Sequence, residues 1–172
     1  MFRHILAVSL LTLIACDGST EKEEPTPTPE PAAEEPAAEE PAAEEPAADA
    51  RTGEQVYAAV CIACHQANGQ GLPGAFPPLV GSDWVTGDPE RSIKIVLYGL
   101  QGEIEVNGTT YNNIMTPQGD LLSDAEIANV LTYTRSSWGN TADAVTTEQI
   151  TAIRTATAGR TTPWTVAELN SK

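Results

Sequence analysis

The chain is poor in the residue types that bind metal ions or form disulfides. Among 172 residues it has three cysteines, two histidines and two methionines. So few side chains argue against a structural zinc site and a disulfide-built fold. Basic residues are also scarce, nine against 24 acidic ones. Because no basic patch is visible, nucleic acid is not expected as a partner.

Long apolar runs are missing as well. The most apolar stretch, residues 5–15, follows a basic start and is too short to span a bilayer as a permanent helix. Residues 1–15 are therefore predicted to be a secretory signal peptide. The run Leu13-Ile14-Ala15-Cys16 looks like a bacterial lipobox and predicts lipidation of Cys16, with ordinary cleavage and a spare thiol as the alternative. The predicted location is a bacterial periplasm, with a lipid anchor in the inner membrane rather than the outer, as Asp17 favours.

Residues 16–50 are predicted to be the lipidated cysteine and an acidic tether. The sequence Glu-Pro-Ala-Ala-Glu repeats with a period of five from residue 30 to residue 48. Regular proline and high charge oppose both helix and packed core, so we expect a disordered, extended segment. It either lets the following domain move between partners or serves as a spacer of no particular length. Residues 51–172 carry twelve acidic and seven basic side chains, a net charge of −5, and are only mildly acidic.

The most informative motif is Cys61-Ile62-Ala63-Cys64-His65, the C-x-x-C-H pattern of covalent haem attachment. A thioredoxin-like redox pair is the alternative, but it requires a preceding strand. Here Thr52 and Gln55 form a capping-box pattern, and the apolar residues that follow predict a helix running into Cys61. Cys61 and Cys64 are therefore predicted to bind one haem c, with His65 as the proximal ligand of its iron.

Met115 is the predicted distal ligand. Once Met1 and the signal peptide are set aside, His65 and Met115 are the only histidine and methionine left. Met115 lies in a polar stretch with proline and glycine, which predicts a loop that can direct the thioether towards the iron. The alternative is a methionine that fills a gap in the core.

Residues 51–139 resemble a class I cytochrome c. The features outside the haem motif are Gly53 and Tyr57 before it, Pro77 and Leu79 after it, Met115 late in the segment, and Val130 and Tyr133 in the last helix of the family. A closer likeness is to the haem domains of respiratory oxidases, nitrite reductases and membrane dehydrogenases, in residues 76–82, 99–102, 106–111, 131–135 and 138–140. Those domains commonly have Met-Pro where this chain has Met115-Thr116-Pro117.

The resemblance implies an all-α fold of the class I cytochrome c type, in which the carbonyl group of Pro77 accepts a hydrogen bond from the proximal histidine. The sequence itself predicts helices over residues 53–64, 89–98 and 124–136, and a short hairpin around Asn107-Gly108. Residues 140–172 are predicted to be a helical extension that packs on the haem domain, with Trp164 as its anchor. Further aromatic and basic residues either contact the haem and its propionates or belong to the core and surface: Trp84, Tyr98, Tyr111, Trp138, Arg91 and Lys94.

The function implied is a membrane-tethered carrier of single electrons, not an enzyme, since no acid, base or nucleophile constellation appears. The expected donor is a quinol-oxidising complex or a dehydrogenase, and the expected acceptor is a haem–copper oxidase or a reductase. The protein could also be a subunit of a larger respiratory complex. A haem-based gas sensor, in which a ligand displaces Met115, is the alternative.

Overall fold

A computed structural model of the chain describes residues 50–171. The predicted signal peptide, Cys16 and nearly all of the predicted tether lie outside the described residues. Within residues 50–171, no helix has both the length and the apolar character needed to cross a membrane.

The first helix, α1, spans residues 53–65 in three continuous parts: α-helical Gly53–Val56, π-helical Tyr57–Cys61 and α-helical Ile62–His65. It begins at the capping box of Thr52 and Gln55, as predicted. The π-helical turn was not predicted from the sequence. It is marked by the hydrogen bond from the Ile62 amide to the Tyr57 carbonyl, and such an i+5 bond has no residue signature.

Five further helices follow in the described part of the chain, and a polar side chain caps the N-terminus of each. They are α2 (Asp83–Thr86), α3 (Pro89–Tyr98), α4 (Asp124–Ser136), α5 (Thr147–Ala156) and α6 (Val166–Asn170). The predicted helices over residues 89–98 and 124–136 are confirmed at the predicted bounds. The single turn of α2 was not predicted, since four residues are too few to show a helical period.

Four short strands complete the described part of the chain: β1 (Leu100–Gln101), β2 (Ile104–Val106), β3 (Thr109–Tyr111) and β4 (Trp164–Thr165). The β2–β3 pair is the predicted antiparallel hairpin. Its two turn residues, Asn107 and Gly108, have φ values of 51° and 76°, the left-handed region that this kind of tight turn requires. The parallel pairing of β1 with β4 was not predicted.

The core lies where α1 crosses α4. A Cβ atom on Gly53 would meet the Asn129 carbonyl oxygen and would lie 2.6 Å from the Tyr133 Cβ atom, so the crossing requires glycine. The Tyr57 ring packs 5.6 Å from the ring of Tyr133 and 5.0 Å from that of Trp138. Gly53, Tyr57 and Tyr133, three of the residues that carry the resemblance, therefore lie at this crossing.

The extension after residue 139 is tied to this core. Ile150 of α5 is fully buried, and the hydroxyl group of Thr132 in α4 donates to the Val145 carbonyl. Arg135, only 3% exposed, donates to the carbonyl groups of Asp143, Val85 and Gly87. These bonds join α4, the turn after α2 and the start of the extension.

Candidate cofactor site

The two thiols of the motif lie one helical turn apart. Cys61 ends the π-helical part of α1, and Cys64 lies in its last α-helical turn. Both side chains are half-buried and neither is in a disulfide. Burial, with a further contribution from Cys64, raises the pKa of the Cys61 thiol to about 11. Cys61 is therefore a protonated thiol at neutral pH.

His65 follows at the end of the same helix. Its Nδ1 atom lies 3.0 Å from the carbonyl oxygen of Pro77. Since a carbonyl only accepts, Nδ1 carries the proton, and the lone pair of Nε2 is available to a metal ion. Burial lowers the pKa of His65, while the bond to Pro77 acts in the opposite direction. The net effect favours the neutral imidazole, the form that binds metals.

The loop that carries Pro77 is fixed by backbone contacts. The amide of Leu79 donates to the Gly69 carbonyl at 2.7 Å, and the amide of Gly71 donates to the His65 carbonyl at 3.0 Å. Gly71 has φ +63°, and a Cβ atom there would lie 2.6 Å from the Pro77 carbonyl oxygen. Glycine at this position lets the chain turn close enough for Pro77 to reach His65.

Met115 lies in an extended segment, not in a helix. Its amide donates to the Leu100 carbonyl at 2.9 Å, and its carbonyl accepts from the Leu100 amide at 3.0 Å. Gly99, which precedes Leu100 in the chain, has φ +83°, and a Cβ atom there would collide with the Met115 carbonyl oxygen. The loop predicted for this stretch is therefore held in place by a short antiparallel bridge.

These residues line two adjoining cavities with mainly apolar walls. The first extends between α1, α2, α3 and α4, and the second opens beside the second cysteine. Six residues line both: Cys61, His65, Pro77, Leu100, Ile104 and Met115. The structure thus brings the predicted site residues together, with Cys64 lining the second cavity.

The residues present fit a haem. Two thiols border the cavity, an imidazole with a free nitrogen and a thioether line its walls, and apolar side chains form the rest. This donor set matches the histidine and methionine axial ligands of c-type haem proteins. Residues 50–171 contain no group of three or more His, Cys, Asp and Glu side chains that could hold a metal ion in another way.

The six additional candidates divide between the cavities and the rest of the domain. Trp84 lines the first cavity and Tyr111 the second. Tyr98 instead bonds to Thr157 of the extension, and Trp138 packs in the aromatic cluster. Arg91 lies over the Trp84 ring, whereas Lys94 pairs with Glu90 and lies over the ring of Trp164.

Sequence reasoning missed a polar residue that supports the site. Asn140 is 5% exposed, and its side-chain amide donates to the carbonyl groups of Leu79 and Thr134. Its side-chain oxygen accepts from the Gly81 amide at 2.8 Å. Asn140 therefore joins the loop after Pro77 to the end of α4. The resemblance included this asparagine, but nothing in the sequence indicated what it binds.

The cytochrome c family matches residues 50–138, which is just over half of the chain. The match contains the two thiols, His65, Pro77 and Met115, and it ends before Asn140 and the extension.

Individual relatives agree with this match. The chain is 48% identical over 92 residues to cytochrome c-552 of Thermus thermophilus, covering 51% of this chain and 69% of the relative. It is 37% identical over 114 residues to the gluconate 2-dehydrogenase cytochrome c subunit of Pantoea cypripedii, covering 62% of this chain and 24% of that subunit. It is 33% identical over 88 residues to the cbb3-type cytochrome c oxidase subunit FixP of Azorhizobium caulinodans, covering 51% of this chain and 29% of that subunit. The similarity thus spans about a quarter of the dehydrogenase and oxidase subunits.

Proposed function

Because this chain belongs to the cytochrome c family, whose members bind haem c covalently, we propose that it is a mono-haem electron carrier tethered by lipid in a bacterial periplasm. The observation that carries the proposal is the shared cavity lining. Cys61, His65 and Met115 border the same apolar space, with Cys64 beside it. This arrangement would provide two attachment points and two iron ligands for a single haem.

Each site residue has a distinct role in the proposal. Cys61 and Cys64 would attach the haem through thioether bonds, His65 would bind the iron through Nε2, and Met115 would bind it through sulfur. Pro77 holds the His65 ring in one orientation and one tautomer through the 3.0 Å bond to Nδ1. When bound, the haem supplies an iron that alternates between the ferrous and ferric states and so carries one electron.

The surrounding residues control the environment of the metal. Apolar side chains from α3, α4 and the hairpin exclude water from the cavity, as Ile95, Val130 and Val106 illustrate. A dry site with two protein ligands keeps its geometry when the charge changes by one. A thioether ligand favours the ferrous state and raises the reduction potential.

The proposed partners are redox proteins. The relatives include the cytochrome c subunit of a gluconate 2-dehydrogenase and a subunit of a cbb3-type cytochrome c oxidase, which supports a dehydrogenase as donor and an oxidase as acceptor. A quinol-oxidising complex as donor and a reductase as acceptor follow from the sequence resemblance alone. The proposed lipid anchor is supported by the sequence motif at Cys16, and the proposed tether is supported by the composition of residues 17–50. Affinity purification in mild detergent distinguishes a free carrier from a subunit of a complex. A free carrier elutes without stoichiometric partners, whereas a complex subunit retains them.

A spectro-electrochemical titration of the purified holoprotein tests the function. We expect a reversible transition with the slope of a one-electron couple, and no change in the ferrous spectrum when carbon monoxide is added at neutral pH. Fast and complete binding of carbon monoxide would contradict the carrier proposal and favour the gas sensor. Metabolic labelling with palmitate, compared between the native chain and Cys16→Ser, tests the anchor separately.

A further inference from the structure

The extension after residue 139 returns to the cofactor site through a short strand. β4 pairs in parallel with β1, with Trp164 opposite Leu100 and Thr165 opposite Gln101. The amide of Trp164 donates to the Gly99 carbonyl at 3.0 Å. The extension therefore adds a strand directly beside the segment that precedes the hairpin.

Met115 pairs with the other edge of β1. Leu100 exchanges two backbone hydrogen bonds with Met115, at 2.9 and 3.0 Å. Leu100 is 6% exposed and lines both cavities. One two-residue strand thus lies between the extension on one side and the predicted distal ligand on the other.

Charged and aromatic contacts fix β4 in position. Two cations lie over the indole ring of Trp164: Lys94 of α3, 5.1 Å from the ring centre, and Arg160, at 3.5 Å. Arg160 is held in turn by Glu168 of α6 and by the carbonyl of Pro163. These contacts connect the strand both to the extension and to α3.

A second contact reaches the chain after Met115. Arg154 of α5 donates to the Gly119 carbonyl at 3.0 Å and pairs with Asp124 at 2.8 Å. Gly119 bonds in turn to the Leu97 carbonyl at 3.2 Å. The extension therefore contacts β1, which pairs with Met115, and also the chain four residues after the methionine.

We propose that the extension is a positioning segment for Met115: β4 and Arg154 hold the loop closed and so keep the thioether at the iron. The proposal rests on the proposed function for the role of Met115 as ligand. Two-residue strands are too short to be stable alone, so the Leu100–Met115 bridge depends on what packs against it. The segments that supply this support, β4 and α5, lie after residue 138, beyond the match to the cytochrome c family.

The test compares two substitutions at Trp164 in the full-length holoprotein. Trp164→Pro removes both the amide that donates to Gly99 and the indole that contacts Lys94 and Arg160. Trp164→Phe keeps the amide and an aromatic ring, and it loses the second ring of the indole together with its N–H, which is buried without a hydrogen-bond partner among the described residues. Trp164→Phe therefore shows the effect of altering the indole while the strand pairing is kept.

Hydrogen exchange measured by NMR is the primary readout. We expect Trp164→Pro to speed exchange of the Met115 and Leu100 amides about threefold to tenfold, the effect of losing one net backbone hydrogen bond. The Val130 amide in α4 should exchange as in the parent protein, and Trp164→Phe should change none of the three. Arg154→Gln, which releases Gly119, should also speed exchange at Met115.

Binding of imidazole to the ferric protein is the second readout. If Met115 is the distal ligand, its more frequent opening should raise the binding rate by the same factor as the exchange rate. Unchanged exchange at Met115 in Trp164→Pro would overturn the proposal, and so would an equal increase at Val130, since that would show only a general loss of stability. Whether Met115 binds iron is decided independently by Met115→Ala, so failure of the ligand assignment and failure of the positioning role give different results.

Discussion

The Nδ1 atom of His65 and the carbonyl oxygen of Pro77 lie 3.0 Å apart, although twelve residues separate them in the chain. The bond defines which ring nitrogen carries the proton and which is free to bind iron. It is made possible by the close approach of Gly71 to Pro77. The orientation of the His65 ring therefore depends on a glycine that lines neither cavity.

Gly71→Ala should break this contact. The added Cβ atom would collide with the Phe76 and Pro77 carbonyl groups, displacing Pro77 from His65. A His65 ring without its acceptor donates less electron density, so we expect a higher reduction potential and a stability loss of roughly 2–4 kcal/mol.

Gly74→Ala is the matched control for Gly71→Ala. Gly74 also has positive φ, +76°, but a Cβ atom added there would meet nothing within 4 Å. It should lose some stability through backbone strain while the potential stays unchanged. Equal potentials in the parent protein and in Gly71→Ala would show that the bond to Pro77 does not tune the iron.

Asn140→Asp should destabilise the domain by roughly 2–4 kcal/mol, because it places a carboxylate against two carbonyl groups that now accept hydrogen bonds. Unfolding in guanidinium chloride measures the loss. Asn68→Asp provides the comparison, since the Asn68 side-chain oxygen only accepts, from the Gln70 amide, and aspartate keeps that bond. A similar free energy of unfolding for both variants would refute the joining role of Asn140.

The capping box of α4 makes stability depend on pH. The hydrogen bond from Arg51, followed by that from the Ser123 amide, lowers the pKa of Glu126 from 4.5 to about 2. The ionised carboxylate is favoured in the folded state, so its contribution is present above pH 4.5 and is lost as the pH falls towards 2.

Glu126→Gln should therefore lower the melting temperature at pH 7 and converge with the parent protein near pH 2. Glutamine keeps the capping contact to Ser123, so the difference reports the charge. Glu54→Gln, at an exposed position in the first turn of α1, is the control and should leave the acid dependence as it is. If the melting temperature of Glu126→Gln fell at low pH as much as that of the parent protein, the ion pair with Arg51 would not stabilise the fold.

The sequence predicted the elements that local chemistry determines. The capping residue Thr52 begins a helix as expected, and Asn107-Gly108 forms the hairpin turn. Gly53, one of the residues that carry the resemblance, lies where two helices cross. Each of these features depends on neighbouring residues or on a spacing typical of the family.

Features that depend on distant partners could not be predicted. The strands β1 and β4 have two residues each, too few to show an alternating pattern. Arg135 and Asn140 bind backbone carbonyl groups up to 61 residues away. Because every residue has such a carbonyl group, the sequence does not indicate which one is bound. The site residues themselves could be predicted because cysteine, histidine and methionine are so rare in this chain.

In the proposed function, His65 and Met115 together bind the iron of one covalently attached haem. Met115→Ala in the holoprotein is the decisive test, with Leu121→Ala as the control, since Leu121 is 70% accessible and lines neither cavity. We predict that Met115→Ala abolishes the near-infrared sulfur-to-iron absorption band, lowers the reduction potential and opens the ferrous iron to carbon monoxide, while Leu121→Ala changes none of these. A Met115→Ala protein with the parent band and potential would show that Met115 is not a ligand of the iron.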